Sequence, residues 1–396
     1  MFSRRLEFDL RPNELADLLS RKNQEGKDVI DMTLSNPTRA GFTYPYDKIS
    51  DAFSAASFAV YSPEPRGTPE ARAAVCTYYE TRGQKVSPED VIITASTSEA
   101  YSFLFRLLAD PGDRILVPGP GYPLFDYLLR LDGLQTVSCR MRYSLGWWYD
   151  FDPSVIDESV KAVIIVSPSN PAGNYIHGDE WAVISGQCAR KGTALICDEV
   201  FYEFPHTGVE PGVDLVEETE ALSFVLNGFS KTAGLPQVKM SWIVVRGPKK
   251  LKQEASQKLE LISDTFLSPS TAVQGAAEAI FCLAPAIRRQ IQLRTSGNLV
   301  FLEKTVQDSP VDCLKTEGGW SAIIRLPEIM DCEEWSIQLL DKYHILTHPG
   351  SFYGLEGGSY LVLSLLPEKK NFREGIFRLM KAVSRDSSWR AVRAKE

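Results

Sequence analysis

The chain has 396 residues, of which 44% are hydrophobic and 24% charged, with 27 Gly and 24 Pro; this is the makeup of a folded globular protein, not of a disordered, collagen-like or low-complexity one. A formal net charge of −8 argues against a nucleic-acid partner, whose phosphates need clustered basic residues. Met1–Leu10 is polar and no apolar run approaches the length of a bilayer span, so no membrane contact and a cytoplasmic location are expected, and seven cysteines without a CxxC or a nearby His read as reduced thiols with no metal site.

Thr68 followed by Pro69 reads as an N-cap and first helical residue, opening a helix that runs to about Arg82 before Gly83. Val91–Thr94 reads as a buried strand. Tyr101, Leu104, Phe105 and Leu108 then share one face of a helix from about Thr97 to Ala109, stopped by Asp110-Pro-Gly112. Short β-branched runs follow at Arg114–Val117, Ala162–Val166, Thr193–Cys197, Phe224–Leu226 and Trp242–Val245. They are continuously apolar, as strands covered on both faces of a parallel sheet must be. Trp147-Trp148-Tyr149 reads as edge-strand packing and Trp320 as packing of a smaller unit, with a position bordering the substrate as its alternative. The C-terminal third changes character, with a long helical stretch from about Ala284 to Thr305, strands at Trp320–Leu326 and Tyr360–Leu365, and helices at Glu333–Tyr343 and Asn371–Ser384. The expectation is an α/β fold. Its large domain, residues 46–284, has a mostly parallel sheet flanked by helices, and a smaller α+β domain of residues 285–396 is joined by residues 1–45, with a frayed helix end from Arg385 onward.

α/β folds keep their sites just beyond the strand ends. Five polar segments stand there: Thr94-Ala-Ser-Thr97-Ser98-Glu99, Pro118-Gly-Pro-Gly121-Tyr122-Pro123, Ser167-Pro-Ser-Asn170-Pro-Ala-Gly173, Cys197-Asp198-Glu199 and Asn227-Gly-Phe-Ser230-Lys231. Singly, each has a plain structural reading as a capping box, rigid loop, turn, capping pair or surface lysine. Together they supply the parts of a pyridoxal phosphate site: a lysine for a Schiff base, a carboxylate to keep the pyridine nitrogen protonated, a helix start to cradle a phosphate, and an aromatic face to stack on the ring.

The order of these motifs resembles the class I/II aminotransferases, the aspartate aminotransferase-like fold type I enzymes, over nearly the whole chain. It is carried by Tyr61 followed by Gly67, Thr97-Ser98-Glu99-Ala100, Asp110-Pro-Gly-Asp113, Pro120-Gly-Tyr122-Pro123, Asn170-Pro-Ala-Gly173, Asp198-Glu-Val200, Ser230-Lys231 and Pro349-Gly-Ser351. The resemblance implies pyridoxal 5'-phosphate as cofactor, Lys231 as the aldimine lysine and proton carrier, and Asp198 on the pyridine nitrogen. Tyr122 would stack on the ring, Asn170 would bond the ring hydroxyl beside a cis peptide to Pro171, and Thr97, Ser98, Ser230 and Lys239 would surround the phosphate. Tyr61 would reach the phosphate of a neighbouring subunit, which implies a homodimer. The implied reaction moves an amino group from an amino acid or amine to a keto acid.

Four positions depart from the family pattern. Lys239 stands where an arginine usually holds the phosphate, which keeps the charge and loses the bidentate fork. Gly228 replaces a serine, and Phe201, with Tyr202 beside it, replaces a tyrosine that bonds the ring oxygen. Val362, in Tyr360-Leu-Val-Leu-Ser364, replaces the arginine that clamps the substrate carboxylate. A desolvated carboxylate needs a cationic partner, so either Arg39 or Arg66 takes the role or the substrate lacks that group. The second possibility keeps a lyase, decarboxylase or oxidase on the same scaffold as the alternative function.

Overall fold

The computed structural model describes residues 2–385 except 10, 57, 58, 60, 62, 218 and 268; the expected frayed end beyond Arg385 lies outside the described residues. Eight strands form the main sheet, in the order Val91–Thr94, Ser241–Arg246, Ser223–Gly228, Ala194–Asp198, Val160–Val166, Arg114–Gly119, Gln135–Tyr143, Trp147–Tyr149. Only Ser241–Arg246 and Trp147–Tyr149 run against the common direction. The sheet is thus mostly parallel, and the Trp147-Trp148-Tyr149 run is its edge strand. Burial on both faces explains the unbroken apolar strands. Ile93, Ile165 and Cys197 face a core shared with the helices Pro69–Glu80 and Ala277–Val306. Their neighbours Ile92, Ile164 and Ile196 face the opposite core, shared with Thr97–Leu108 and Lys249–Phe266. Each such side chain taken fully from water contributes about 1.5–3 kcal/mol.

A second sheet of four antiparallel strands, in the order Asp312–Cys313, Ser321–Leu326, Ser359–Ser364, His348–Pro349, packs with the helices Cys332–Tyr343 and Lys369–Arg385 around Trp335, Leu363 and Phe372. The beginning of the chain joins this unit. Ile30–Asp31 pairs in parallel with Ile345–Leu346, and Leu15 and Leu18 of the helix Glu14–Gln24 pack on Leu340. One helix, Ala277–Val306, ties the two units together, with Ile280, Ile287 and Ile291 in the large core and Leu299, Leu302 and Val306 in the small one. It starts before the expected Ala284, and Pro285 lies inside it. Among the described residues no helix is long and apolar enough to cross a membrane.

Candidate active site

A cavity of about 410 Å³ opens between the two sheets, beyond the C-terminal ends of the parallel strands, where open α/β sheets bind their ligands. Thr97, Ser98, Tyr122, Asn170, Asp198, Ser230 and Lys231 all line it. Segments separated by up to about 130 residues of sequence therefore converge on one volume because each follows a strand of one sheet.

Local sequence explains each placement. Ser96 caps the helix Thr97–Leu108 by accepting from Glu99 N, and Glu99 in turn accepts from Ala95 N; this reciprocal cap turns Thr97 and Ser98 into the cavity-facing first turn. Lys231 sits in the helical turn Phe229–Thr232. That turn is held by Asn227, whose Oδ1 accepts from Gly228 N at 2.7 Å and from Thr232 Oγ1 at 2.6 Å. The Asn170–Pro171 peptide is cis. Tyr122 meets Phe125 edge-on, with ring centroids 5.7 Å apart.

Asp198 is buried and Lys231 half-buried, and each perturbs the other. Burial raises the Asp198 carboxyl to about 6, against the lowering by Val200 N–H, Tyr101 and Lys231. Burial lowers the Lys231 amine to about 8, opposed by Asp198. Paired titratable groups whose environments move them toward neutrality are a mark of functional sites. The Lys231 Nζ also stands 4.8 Å from the Trp320 ring centroid and 5.4 Å from that of Phe201, so the amine faces an aromatic wall. Trp320 therefore borders the cavity as well as packing.

The cavity gains three residues that the strand-end reading did not single out. Tyr101, four residues into the helix that begins at Thr97, donates to Asp198 Oδ2 at 2.9 Å. Ser241 lines the cavity directly opposite Gly228 in the sheet register. A Cβ on Gly228 would lie 2.1 Å from Ser241 Oγ, so the hydroxyl absent at 228 is present at 241 and the glycine makes room for it. His348 lines the small-domain side, paired in register with Val362.

Four expected residues stand elsewhere. Lys239 is exposed with a left-handed backbone (φ 61°) and does not line the cavity. Arg39 lines a separate cleft beside Glu368 and Lys369, with Leu34 forming a wall common to both spaces. Arg66 is tied to Glu260 at 2.7 Å and to Glu89 O at 3.0 Å. Tyr61 is 74% exposed in the isolated chain. Phe201 lines the cavity while Tyr202 turns away, its ring 3.7 Å beneath the Arg82 guanidinium.

Behind the cavity lies a buried ionic network. Arg82 reaches Glu199 at 2.8 and 2.9 Å and Asp214 at 2.6 and 3.1 Å, and Glu199 also accepts from Tyr79 Oη and Asn227 Nδ2. Asn227 links this network to the Lys231 turn, and Glu199 adjoins Asp198 in sequence.

The family described as "Aminotransferase class I and II" matches residues 27–373. Among similar curated proteins, tyrosine aminotransferase of Bos taurus is 28% identical over 72% of this chain and 68% of its own length. Glutamate–pyruvate aminotransferase of Escherichia coli K12 is 26% identical over 83% of this chain and 82% of its own length. The solved structure of an alanine aminotransferase from Pyrococcus furiosus superimposes with a TM-score of 0.87 at 22% identity, covering 97% of this chain and all of that one, which shows the aspartate aminotransferase-like fold. By sequence over most of its length and by fold, the chain belongs to the class I and II aminotransferases.

Proposed function

We propose that the chain is a pyridoxal phosphate-dependent aminotransferase, with Lys231 as the point of cofactor attachment and the proton carrier. The observation that carries this reading is the presence of a half-buried amine shifted toward neutrality, a buried carboxylate and the hydroxyls of a helix start in one cavity. That donor set fits pyridoxal phosphate. Thr97, Ser98, Ser230 and Ser241 would bind its phosphate, Tyr122 would cover a ring face, Asn170 would bond the ring hydroxyl and Asp198 would hold the ring nitrogen. Lys239 would join the phosphate only by moving inward. When bound, the cofactor supplies an aldehyde that condenses with amines and a ring that accepts the electron pair left when a bond to the substrate carbon breaks.

The chain's own residues do the rest. With Lys231 lowered to about 8, about a tenth of it is neutral at pH 7, against well under a thousandth for an unperturbed lysine. The neutral amine is the form that attacks a carbonyl or takes a proton. Phe201 and Trp320 cover one side of its Nζ with apolar rings, which limits the approach of water there. Asp198, kept anionic by Tyr101 and Val200 N–H, stabilises positive charge on its partner nitrogen.

The names of the curated relatives make α-amino acids the proposed donor class and keto acids the acceptors. A cytoplasmic homodimer is the proposed working form, with exposed Tyr61 reaching the neighbouring subunit's phosphate. The test is to add pyridoxal phosphate to purified protein and then an amino acid, following the cofactor absorbance. Conversion to the amine form with equimolar keto acid supports the proposal, and Lys231→Ala should abolish both attachment and turnover. Retained multiple turnover in that variant overturns it. Val362 favours a second reading, a lyase, decarboxylase or oxidase; in that case product forms with the cofactor returned to its starting form after each cycle.

A further inference from the structure

The sheet of the small domain presents one face to the cavity, and the cross-strand register fixes which side chains stand there. Val362 is opposite His348 on one neighbouring strand and Ile323 on the other, and Ser364 is opposite Ser321. Directly opposed residues of an antiparallel pair project on the same side, with Cβ atoms about 4.5–5.5 Å apart. Val362, His348, Ser321 and Ser364 all line the cavity. The position that resembles the family's carboxylate arginine is therefore apolar, and a side chain able to carry positive charge stands one strand over.

Among the described residues lining the cavity, Lys231 and His348 are the ones that can be cationic, and no arginine is present. Lys231 is the proposed point of cofactor attachment and interacts electrostatically with Asp198. Ser364 is occupied as well, donating to Leu34 O and accepting from Leu366 N. His348 Nδ1 lies 3.0 Å from Tyr353 Oη, which fixes the ring and leaves Nε2 as its remaining hydrogen-bonding atom. Tyr353 lines the cavity too.

We propose that His348, oriented by Tyr353, holds the carboxylate of the amino-acid substrate in the place usually served by an arginine. The inference rests on the aminotransferase reading and specifies how that site selects its substrate. An imidazole differs from a guanidinium in two ways that can be measured: it offers one donor, not a two-pronged fork, and its charge is lost near neutral pH. The titratable groups that act on the ring are Asp31 from the strand Ile30–Asp31 and Tyr353 from the turn after Pro349, and Lys231, Asp198 and Tyr122 line the same cavity. Burial favours the neutral ring and Asp31 opposes this. An arriving carboxylate adds a second, closer anion, so substrate binding takes up a proton.

The experiment uses holoenzyme and pairs of donors that differ only in the carboxylate: L-tyrosine with tyramine, L-phenylalanine with phenethylamine, L-leucine with isoamylamine and L-alanine with ethylamine. The half-reaction rate is followed against donor concentration and pH for wild type, His348→Gln and His348→Phe. Expected for His348→Phe is a rise of about 10- to 100-fold in the half-saturating amino acid concentration, with the limiting rate little changed and the paired amine unaffected. His348→Gln keeps a donor and should lose less affinity, but both variants should lose the weakening of amino-acid binding that wild type shows as pH rises through the imidazole range. The cofactor absorbance band of each variant reports that the site is folded. Equal effects on acid and amine, no effect on either, or a wild type that prefers the amines overturns the proposal and leaves the aminotransferase reading standing. Failure of wild type to take up pyridoxal phosphate, or to react with any donor once loaded, overturns that reading and this proposal with it.

Discussion

The Tyr101 hydroxyl lies 2.9 Å from Asp198 Oδ2, inside a core where Tyr101 is 2% exposed. The same ring meets Phe125 edge-on, and Phe125 meets Tyr122 edge-on, so one aromatic chain connects the carboxylate to the ring expected to cover the cofactor. Val200 N–H fixes the other carboxylate oxygen at 3.0 Å. A hydrogen bond to a charged group contributes about 1.5–3 kcal/mol, and this one favours the ionised acid. Tyr101→Phe removes it without changing shape. Asp198, already raised to about 6 by burial, should rise further in the apo-protein, and the acid limb of the pH profile for pyridoxal phosphate uptake should move up by about one unit. An unmoved limb with a lowered melting temperature would show that Tyr101 only packs.

Lys231 supplies a second pH dependence of opposite origin. Its amine is lowered to about 8 by burial, and Asp198 resists the shift. The rate at which apo-protein takes up pyridoxal phosphate should therefore rise with pH and level off above about 8, far below the unperturbed lysine range. Asp198→Asn removes the anion that favours the ammonium form, so the midpoint should move to lower pH even as cofactor affinity falls. Stopped-flow absorbance between pH 6 and 10 measures both, and a midpoint that rises in Asp198→Asn contradicts the argument.

The residues that follow strands were legible because their chemistry and their location are both local properties. Asp198 ends a strand, Lys231 follows one, and Thr97 opens a helix, so each position is readable within a window of a few residues. Tyr101 was readable only as a core aromatic, because helical periodicity assigns it to the buried face and nothing in the window shows that an acid from another strand lies above that face. Ser241 and His348 depend on cross-strand register, with Gly228 and Val362 respectively, and register is set by the whole sheet. Arg39 was reasonable by charge, yet the wall formed by Leu34 separates it from the cavity.

Gly228 and Ser241 form a steric pair that yields a test of packing. Gly228 has an extended backbone, φ −178°, so no conformational demand calls for glycine; the demand is Ser241 Oγ at 2.1 Å from where a Cβ would be, with Met240 O at 3.1 Å. Gly228→Ser alone should destabilise by about 1–3 kcal/mol, the usual cost of overpacking, and weaken cofactor binding. Combining it with Ser241→Gly moves the hydroxyl across the sheet and frees the space. A double-mutant cycle on thermal unfolding should give a favourable coupling above about 1 kcal/mol; additive losses would show that the strand cannot accept a side chain at 228 for another reason.

Arg82 anchors the scaffold behind the site through Glu199 and Asp214. Its side chain is 8% exposed between Glu199, which is fully buried, and Asp214. Pairs of this kind gain little over an apolar replacement of all partners, but removing one partner strands the others and costs about 3–5 kcal/mol. Arg82→Met should therefore destabilise strongly at pH 8. Glu199 is already raised by burial and held down chiefly by Arg82, so without the guanidinium its folded-state pKa rises further above that of the unfolded chain. Protonation then favours the fold, and the loss in melting temperature should shrink as pH falls toward 5. Because Asn227 joins Glu199 to the Lys231 turn, the variant should also slow cofactor attachment at temperatures where it is folded. Arg82→Met with Glu199→Gln should recover part of the stability at pH 8, whereas a pH-independent loss would assign Arg82 to packing against Tyr202 alone.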